Sequence, residues 1–340
     1  MNRSTAVSSY TDAIAGLPQD AFLGSLIFFS ISAADVNLEN ARRDLTAAGL
    51  KTGTLRKNLR PIDAFKKSTN SIKKKFPEQH DGVRSELLVR PVGEDGEQAY
   101  RHLVLERTDL GVGGKRRKLV YDKVGEVVFT RGTKDRALQQ YTGHGVEARR
   151  TTQHLPYDLT EDEDQWLTEK LITFKDLYDH MLNYMDSHAV RSFVREYIYS
   201  LSGICVKESG GLYFVKQDHI DELEKLAEWV RSVGSEFHIV PLLNVGEQKA
   251  MIMEAFEDET VNEVARLMGE VQKILSEGRN IEERTFDTYA LRAAELKNKV
   301  SEYNQMLDAK AGRASTELNL FGQQILALVD RIKKPTKVTP

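Results

Sequence analysis

The most regular hydrophobic pattern along the chain is a heptad spacing in its C-terminal part. Apolar residues follow one another at alternate steps of three and four in three tracks, over residues 261–275, 286–307 and 318–332. This spacing is typical of helices that bury one seam against a partner. The segments 278–280 and 309–313 interrupt the tracks, so we predict a C-terminal antiparallel helical bundle or coiled coil over residues 247–333.

The partner of these helices stays open between a bundle within one chain and a coiled coil between chains. The middle track is the longest and offers side chains to a second copy even if the bundle is intramolecular. We therefore predict oligomerisation contacts at Phe286, Leu296, Val300, Tyr303 and Leu307.

The N-terminal part combines helical and strand-like periods. An apolar segment at 26–31 predicts a buried strand, and two amphipathic helices follow, the second beginning at Pro61. From residue 85 the period is two, and the segments 86–92, 100–106, 118–122 and 126–130 predict an antiparallel meander. We place the first strand in this same sheet, giving a basic α+β domain at 22–154 after a flexible arm at 1–21.

The middle of the chain has the order helix, short turn, helix, hairpin. Thr160 precedes four acidic residues and predicts a helix start, Ser187 can cap a second helix, and Gly210 and Gly211 join two short strands. This order is typical of a winged helix, which we place at 155–246, with a tail at 334–340. The predicted fold class is thus α+β: an N-terminal antiparallel sheet with helices, a winged-helix-like middle module and a C-terminal bundle.

Composition limits the class of protein. The 340 residues are 40% hydrophobic and 29% charged, with a net charge of −3, which is typical of a globular protein of two or three domains. The apolar stretch 26–29 is too short to cross a bilayer, and a single cysteine, Cys205, excludes an internal disulfide. We predict a cytoplasmic protein, in the host cytoplasm if it is phage-encoded, that does not associate with membranes.

Charge is unevenly distributed along the chain. Residues 1–154 hold 26 Lys and Arg against 18 Asp and Glu, a net of +8, whereas residues 155–340 hold 22 against 33, a net of −11. Between residues 51 and 75 there are nine basic residues and one acid. Lys66 with Lys73, and Lys67 with Lys74, recur at a spacing of seven, which predicts one basic helix face.

Such a face can follow a phosphate backbone, although a solvated surface and an anionic membrane are alternative interpretations. A second basic cluster at 115–118 follows a glycine-rich hairpin that lacks the spacing of a nucleotide-binding loop. We predict nucleic-acid backbone contacts at Arg56, Lys57, Arg60, Lys66, Lys67, Lys73, Lys74, Lys75, Lys115, Arg116, Arg117 and Lys118.

Arg191 and Arg195 lie four residues apart, opposite the apolar face of the second helix of the predicted winged helix. In that fold this helix enters the major groove, so both arginines join the predicted nucleic-acid contacts. The acidic segment before them argues against DNA, because it would repel phosphates, and winged folds also dock proteins.

We find no catalytic constellation. The histidines do not form an HExxH motif, and the HxxR fragment from His188 to Arg191 is too short to identify a recombinase. We predict no enzyme activity, no metal, no cofactor and no small-molecule substrate.

Three segments carry a family resemblance: 209–215 (SGGLYFV), 190–197 (VRSFVREY) and 60–66 (RPIDAFK). With these the chain resembles an uncharacterised family of proteins from bacteriophages and bacteria, over most of residues 22–330. The resemblance implies a phage or prokaryotic origin and transfers no catalytic residue.

We therefore predict a non-enzymatic, oligomerising protein that binds nucleic acid through a basic N-terminal face. The alternative is a protein-interaction scaffold or assembly component with no nucleic-acid role, in which the basic half contacts the acidic half of a neighbouring copy.

Overall fold

The computed structural model describes residues 16–55, 59–77, 83–109, 118–135, 140–151, 155, 158–207, 211–278 and 280–332. Within these residues the helices α1 to α8 are, in chain order, Leu38–Ala47, Pro61–Ser71, Glu161–Asn183, Ser187–Ser200, Ile220–Ser232, Gly246–Ser276, Glu283–Leu307 and Gly312–Ala327. The strands β1 to β13 are Phe22–Ser30, Asp35–Asn37, Lys73–Lys75, Val83–Glu94, Gln98–Asp109, Lys118–Thr130, Thr133–Asp135, Gln140–Thr142, Gly145–Arg150, Tyr184–Asp186, Ile204–Lys207, Leu212–Lys216 and Glu236–Leu243. Helices and antiparallel sheets together confirm the α+β class.

The chain divides into two compact units. The first, which we call the sheet unit, comprises residues 35–43 and 55–186. The second, the C-terminal unit, comprises residues up to 34, residues 44–54 and all residues from 187 onwards. The boundaries therefore differ from those inferred from the sequence, which lay at residues 154 and 246.

The sheet unit is built on a five-stranded antiparallel sheet in the order β3-β4-β5-β6-β9, which is curled into a half-barrel. The predicted meander is confirmed, with the two segments at 118–122 and 126–130 forming one strand, β6, that carries a bulge beside Val124. Gly125 follows the bulge, where a Cβ atom would lie 2.9 Å from the carbonyl oxygen of Arg149 on β9. Glycine is required for this close approach of the two strands.

Helices α2 and α3 cover one face of this sheet. Phe65 of α2 and Phe174 of α3 are buried in one core with strand residues such as Leu103 and Val127. Thr160 caps α3 as predicted, and its side chain and that of Glu163 form a capping box. Helix α3 therefore belongs to the sheet unit and not to a module with α4.

The lysine stripe predicted on one helix face does not exist. Helix α2 ends at Ser71, and residues 73–75 form strand β3, which pairs with β4. Near the end of α2 the hydroxyl groups of Ser68 and Thr69 donate to the carbonyls of Ala64 and Phe65. Such bonds compete with helical ones, and three successive lysines gain nothing from continuing the helix, so pairing with the sheet is preferred.

The C-terminal unit contains a four-stranded antiparallel sheet in the order β11-β12-β1-β13. Strand β1 pairs with β12 and β13, with Ile27 opposite both Tyr213 and Ile239, so its predicted place in the N-terminal meander was wrong. Because β1 lies between the hairpin and β13 and α3 belongs to the other unit, the described residues do not confirm the predicted winged-helix module.

Helices α6, α7 and α8 pack against this sheet and one another. The start of α6 and the end of α7 share one core, in which Phe256 stacks on Tyr303 with ring centroids 4.2 Å apart. The end of α6 packs with the start of α7 and the end of α8, around Val271 and Phe321. Successive helices therefore run in opposite directions and pack within one chain, which is the first of the two arrangements that the sequence left open.

Candidate nucleic-acid interface

Helices α2 and α3 pack on one face of the five-stranded sheet, and no described helix of the sheet unit packs on the opposite face, which we call the outer face. Side chains alternate across a strand, so residues next to core positions point outwards. Six cations lie at outward positions of the described strands: Lys73, Lys75, Arg84, Arg90, Lys123 and Arg149. Four carboxylates lie among them: Glu86, Glu106, Glu126 and Glu147.

Each of these carboxylates pairs with one of the cations. Lys73 Nζ lies 3.0 Å from Glu86, Arg90 Nη2 2.6 Å from Glu106, and Lys123 Nζ 2.7 Å from Glu126. Arg149 is likewise paired with Glu147. Ion pairs at or near the surface stabilise a fold only weakly, so a phosphate can replace the carboxylate at little cost.

Hydrogen bonds favour the charged forms of three of these side chains, Glu126, Glu147 and Arg90. The bond from Lys123 holds the pKa of Glu126 below its ordinary value, and the bond from Arg149 does the same for Glu147. The bond to Glu106 raises the pKa of Arg90. By residue type, the described outer face holds six basic and four acidic side chains.

Three rings lie between the charges on the same face: Tyr100, His102 and Tyr121. Tyr121 is 54% exposed and lies directly opposite Glu106 in the register of β5 and β6. His102 lies between Arg90 and Glu126 in the register. Burial, followed by the charge of Lys123, lowers the pKa of His102, so this ring is neutral at pH 7.

The predicted contacts in and beside α2 lie elsewhere or are already paired. Arg60 donates to Asp63 within α2 over 2.6 Å. Lys66 Nζ lies 3.0 Å from Glu94 and Lys67 Nζ 3.1 Å from Asp186, both away from the outer face.

The three lysines of β3 divide between the two faces of the sheet. Lys73 and Lys75 point outwards, whereas Lys74 points to the helix side, with Nζ 4.9 Å from the ring centroid of Phe76. Arg56, Lys57, Lys115, Arg116 and Arg117 lie outside the described residues, and Lys118 begins β6. The described members of the predicted set therefore do not form a single continuous basic groove.

Sequence reasoning missed four of the six outer cations, which are Arg84, Arg90, Lys123 and Arg149. The signal was available, because Arg84, Glu86, Leu88 and Arg90 alternate with the core residues of β4. The prediction relied instead on clusters of lysine, and the fold places Lys66 and Lys67 on the helix side of the sheet and Lys73 and Lys75 on its outer face.

Acidic helix α3 also changes the charge balance. Residues 35–43 and 55–186 hold 26 Lys and Arg against 24 Asp and Glu, a net of +2. The remaining residues hold 22 against 27, a net of −5. The +8 and −11 of the two sequence halves therefore do not describe the folded units, and any attraction for polyanions must come from a local face.

The remaining predicted residues lie in the C-terminal unit. Arg191 and Arg195 are exposed on α4, and the Arg191 guanidinium donates to the carbonyl of Ile31 over 3.3 Å. The predicted DNA contacts of Arg191 and Arg195 depended on a winged helix, which the described residues do not confirm.

The predicted oligomerisation residues face the interior of their own chain. Leu296, Val300, Tyr303 and Leu307 are at most 6% exposed, and Phe286 is partly buried against the same helices. These side chains pack within one chain, which contradicts the prediction that they form contacts between chains.

A second polar cluster lies where α4, α6 and α7 meet. Ser202 adopts a left-handed conformation, with φ of 55°, in the turn after α4. This turn directs the carbonyl of Ser202 to the Tyr303 hydroxyl, at 2.9 Å, and that of Gly203 to Lys299 Nζ, at 2.9 Å. Lys299 also lies 3.1 Å from Glu259, and burial lowers its pKa. The cluster ties the bundle to the sheet, and we assign it a structural role.

Among the described residues, no group of three or more His, Cys, Asp or Glu side chains is placed to hold a metal ion. No helix in the described part of the chain has both the length and the apolar character needed to span a membrane.

The described residues thus define an α+β protein of two units, one of which has a charged sheet face opposite its helices. The chain belongs to a family of unknown function, DUF6744, whose model matches residues 22–334. This confirms the predicted membership of an uncharacterised family, while the phage or prokaryotic origin stays a prediction. Neither a curated protein nor a solved structure matches the chain.

Proposed function

We propose that the protein binds nucleic acid through the outer face of its sheet unit. The observation that supports this most is the composition of that face: six cations against four carboxylates, with three rings between them. Neutralising phosphates with Lys and Arg releases counterions, and this is the main source of sequence-independent affinity. In the sequence, the segment between β5 and β6 also carries Lys115, Arg116 and Arg117, which lie outside the described residues.

The salt dependence of binding tests this proposal. For single strands the logarithm of affinity falls with the logarithm of salt with a slope of about −0.7 per neutralised phosphate. If two phosphates displace the carboxylates from Lys73 and Arg90, the double variant K73Q/R90Q makes the slope shallower by about 1.4. Fluorescence anisotropy with a labelled oligonucleotide at several salt concentrations measures this change.

A matched control uses the helix side of the same unit. Lys66 and Lys67 are also exposed and ion-paired, so K66Q/K67Q removes the same charge from a different surface. We expect this variant to keep the slope of the parent protein. Equal effects of the two double variants, or no binding at low salt, would contradict the proposal.

The alternative role as an assembly component predicts a different outcome. In that case K73Q/R90Q alters the molecular mass measured by light scattering and leaves nucleic-acid retention unchanged. The net charges of +2 and −5 permit attraction between copies, although they are much smaller than the sequence halves suggest.

A further inference from the structure

The shape of the outer face restricts which nucleic acid it can accept. The sheet is curled, and α2 and α3 fill its inner side, with Phe65 and Phe174 in contact at the centre. At one margin Trp166 of α3 meets Phe76 next to β3, with ring centroids 6.3 Å apart. At the other margin the Tyr178 hydroxyl lies 2.9 Å from His144 Nδ1, beside β9. The outer face is therefore convex.

A convex sheet fits a duplex poorly. Five strands at about 4.8 Å spacing span about 19 Å, whereas the major groove is about 12 Å wide and admits a helix or a two-stranded ribbon. A duplex is also stiff over about 150 base pairs and cannot wrap around a small protein face at low cost. A single strand is flexible and leaves its bases free to stack on protein rings.

The rings of the outer face are arranged in the direction of β5. Tyr100 and His102 are two residues apart on that strand, which places them about 7 Å from each other along it. Tyr121 of β6 lies opposite Glu106, four residues or about 13 Å further on. Arg90 and Lys123 flank this row.

We infer that the ligand of the outer face is single-stranded nucleic acid, with bases stacked on Tyr100, His102 and Tyr121 and phosphates on the flanking cations. This inference rests on the proposed function and adds the substrate class to it. Stacking tolerates any base, because each base has an aromatic face, so sequence preference is weak.

The test compares affinities at one salt concentration for a 20-nucleotide oligothymidine, a 20-nucleotide oligouridine and a mixed-sequence duplex of 20 base pairs. We expect at least one single strand to bind about tenfold or more tightly than the duplex. The variant Y121L should weaken single-strand binding by about 5- to 100-fold and leave duplex binding and the salt slope unchanged. Y121F keeps the ring and should bind like the parent protein.

The outcomes separate the two proposals. Equal binding of single strand and duplex, or a Y121L variant that binds single strands as the parent does, overturns the single-strand inference and leaves the proposed function standing. Loss of affinity in Y121F equal to that in Y121L assigns the effect to the hydroxyl and overturns the stacking argument. Absence of binding to all three ligands overturns the proposed function and the inference with it.

Discussion

The buried carboxylate of Glu163 offers the sharpest test of how the sheet unit is held together. Its side chain is fully buried and accepts hydrogen bonds from three groups: the Ser85 hydroxyl at 2.5 Å, the Thr160 amide at 3.0 Å and the Arg107 guanidinium at 2.9 Å. Ser85 and Arg107 belong to β4 and β5, so one carboxylate joins the start of α3 to the middle of the sheet. The change E163Q keeps the size of this side chain and removes its charge.

The expected cost follows from burial. Breaking a buried ion pair typically costs about 3 to 5 kcal/mol, because the remaining charge is left without compensation. Arg107 is 14% exposed, so water can solvate part of the guanidinium, and the Gln oxygen still accepts one bond. We therefore expect E163Q to lower the free energy of unfolding by about 3 kcal/mol, the lower end of that range.

Urea denaturation followed by tryptophan fluorescence measures this loss. The chain has two tryptophans, Trp166 in the sheet unit and Trp229 in the C-terminal unit. In a W229F background the signal of Trp166 reports on the sheet unit. The control is E161Q, an exposed acid in the same first turn of α3, which should cost about 0.3 to 1 kcal/mol through the helix dipole. If E163Q is no more destabilising than E161Q, the carboxylate does not anchor α3 to the sheet.

Three further predictions concern single residues. The pKa of His102 lies below its usual value, so its ring gains a positive charge only in acid. We therefore expect affinity for oligonucleotides to rise as the pH falls from 7.5 to 5. An equal rise in the H102Q variant would exclude His102 as the cause. S202G should raise the free energy of unfolding by about 0.5 kcal/mol by removing the left-handed strain, and destabilisation in urea titrations would contradict this. K299M leaves Glu259 without its cation and should lower the free energy of unfolding by about 1 to 3 kcal/mol. Adding E259Q in the double variant should restore part of this stability, whereas additive losses from the two changes would refute the pairing.

The sequence predicted most individual elements because their signals are local. Pro61 and Thr160 mark the starts of α2 and α3, and Asp95 with Gly96 marks the β4–β5 turn, where the Asp95 carboxylate accepts from the amides of Glu97 and Gln98. Pro61 acts through its fixed φ and missing N–H at the first helical position, and Thr160 and Asp95 act through hydrogen bonds to amides within three residues. Such bonds form whatever surrounds the element.

The partners of the elements were beyond reach for the opposite reason. Strand β1 pairs with β12 and β13, which lie about two hundred residues further along the chain, and its apolar side chains would suit any buried sheet. The apolar face of α3 likewise fits either unit. Hydrophobic burial is not directional, so a periodic pattern identifies the buried face of an element without identifying what covers it.

The candidate site shows the same division. The period of two in β4 to β6 contained the outward positions of Arg90 and Tyr121, but their convergence on one face depends on the register of three strands, β4, β5 and β6. Residues 73–75 were predicted to continue a helix but form an edge strand, because a helix and a short edge strand are hard to distinguish over three like charges.

The central claim is that single-stranded nucleic acid lies on the outer face, and photo-cross-linking tests it most directly. A 20-nucleotide oligomer carrying 4-thiouridine is irradiated with the intact protein at low salt, and the cross-linked peptides are mapped by mass spectrometry. The account predicts cross-links at Tyr100, His102 or Tyr121. Cross-links confined to the helix side around Lys66 or to residues of the C-terminal unit would contradict it.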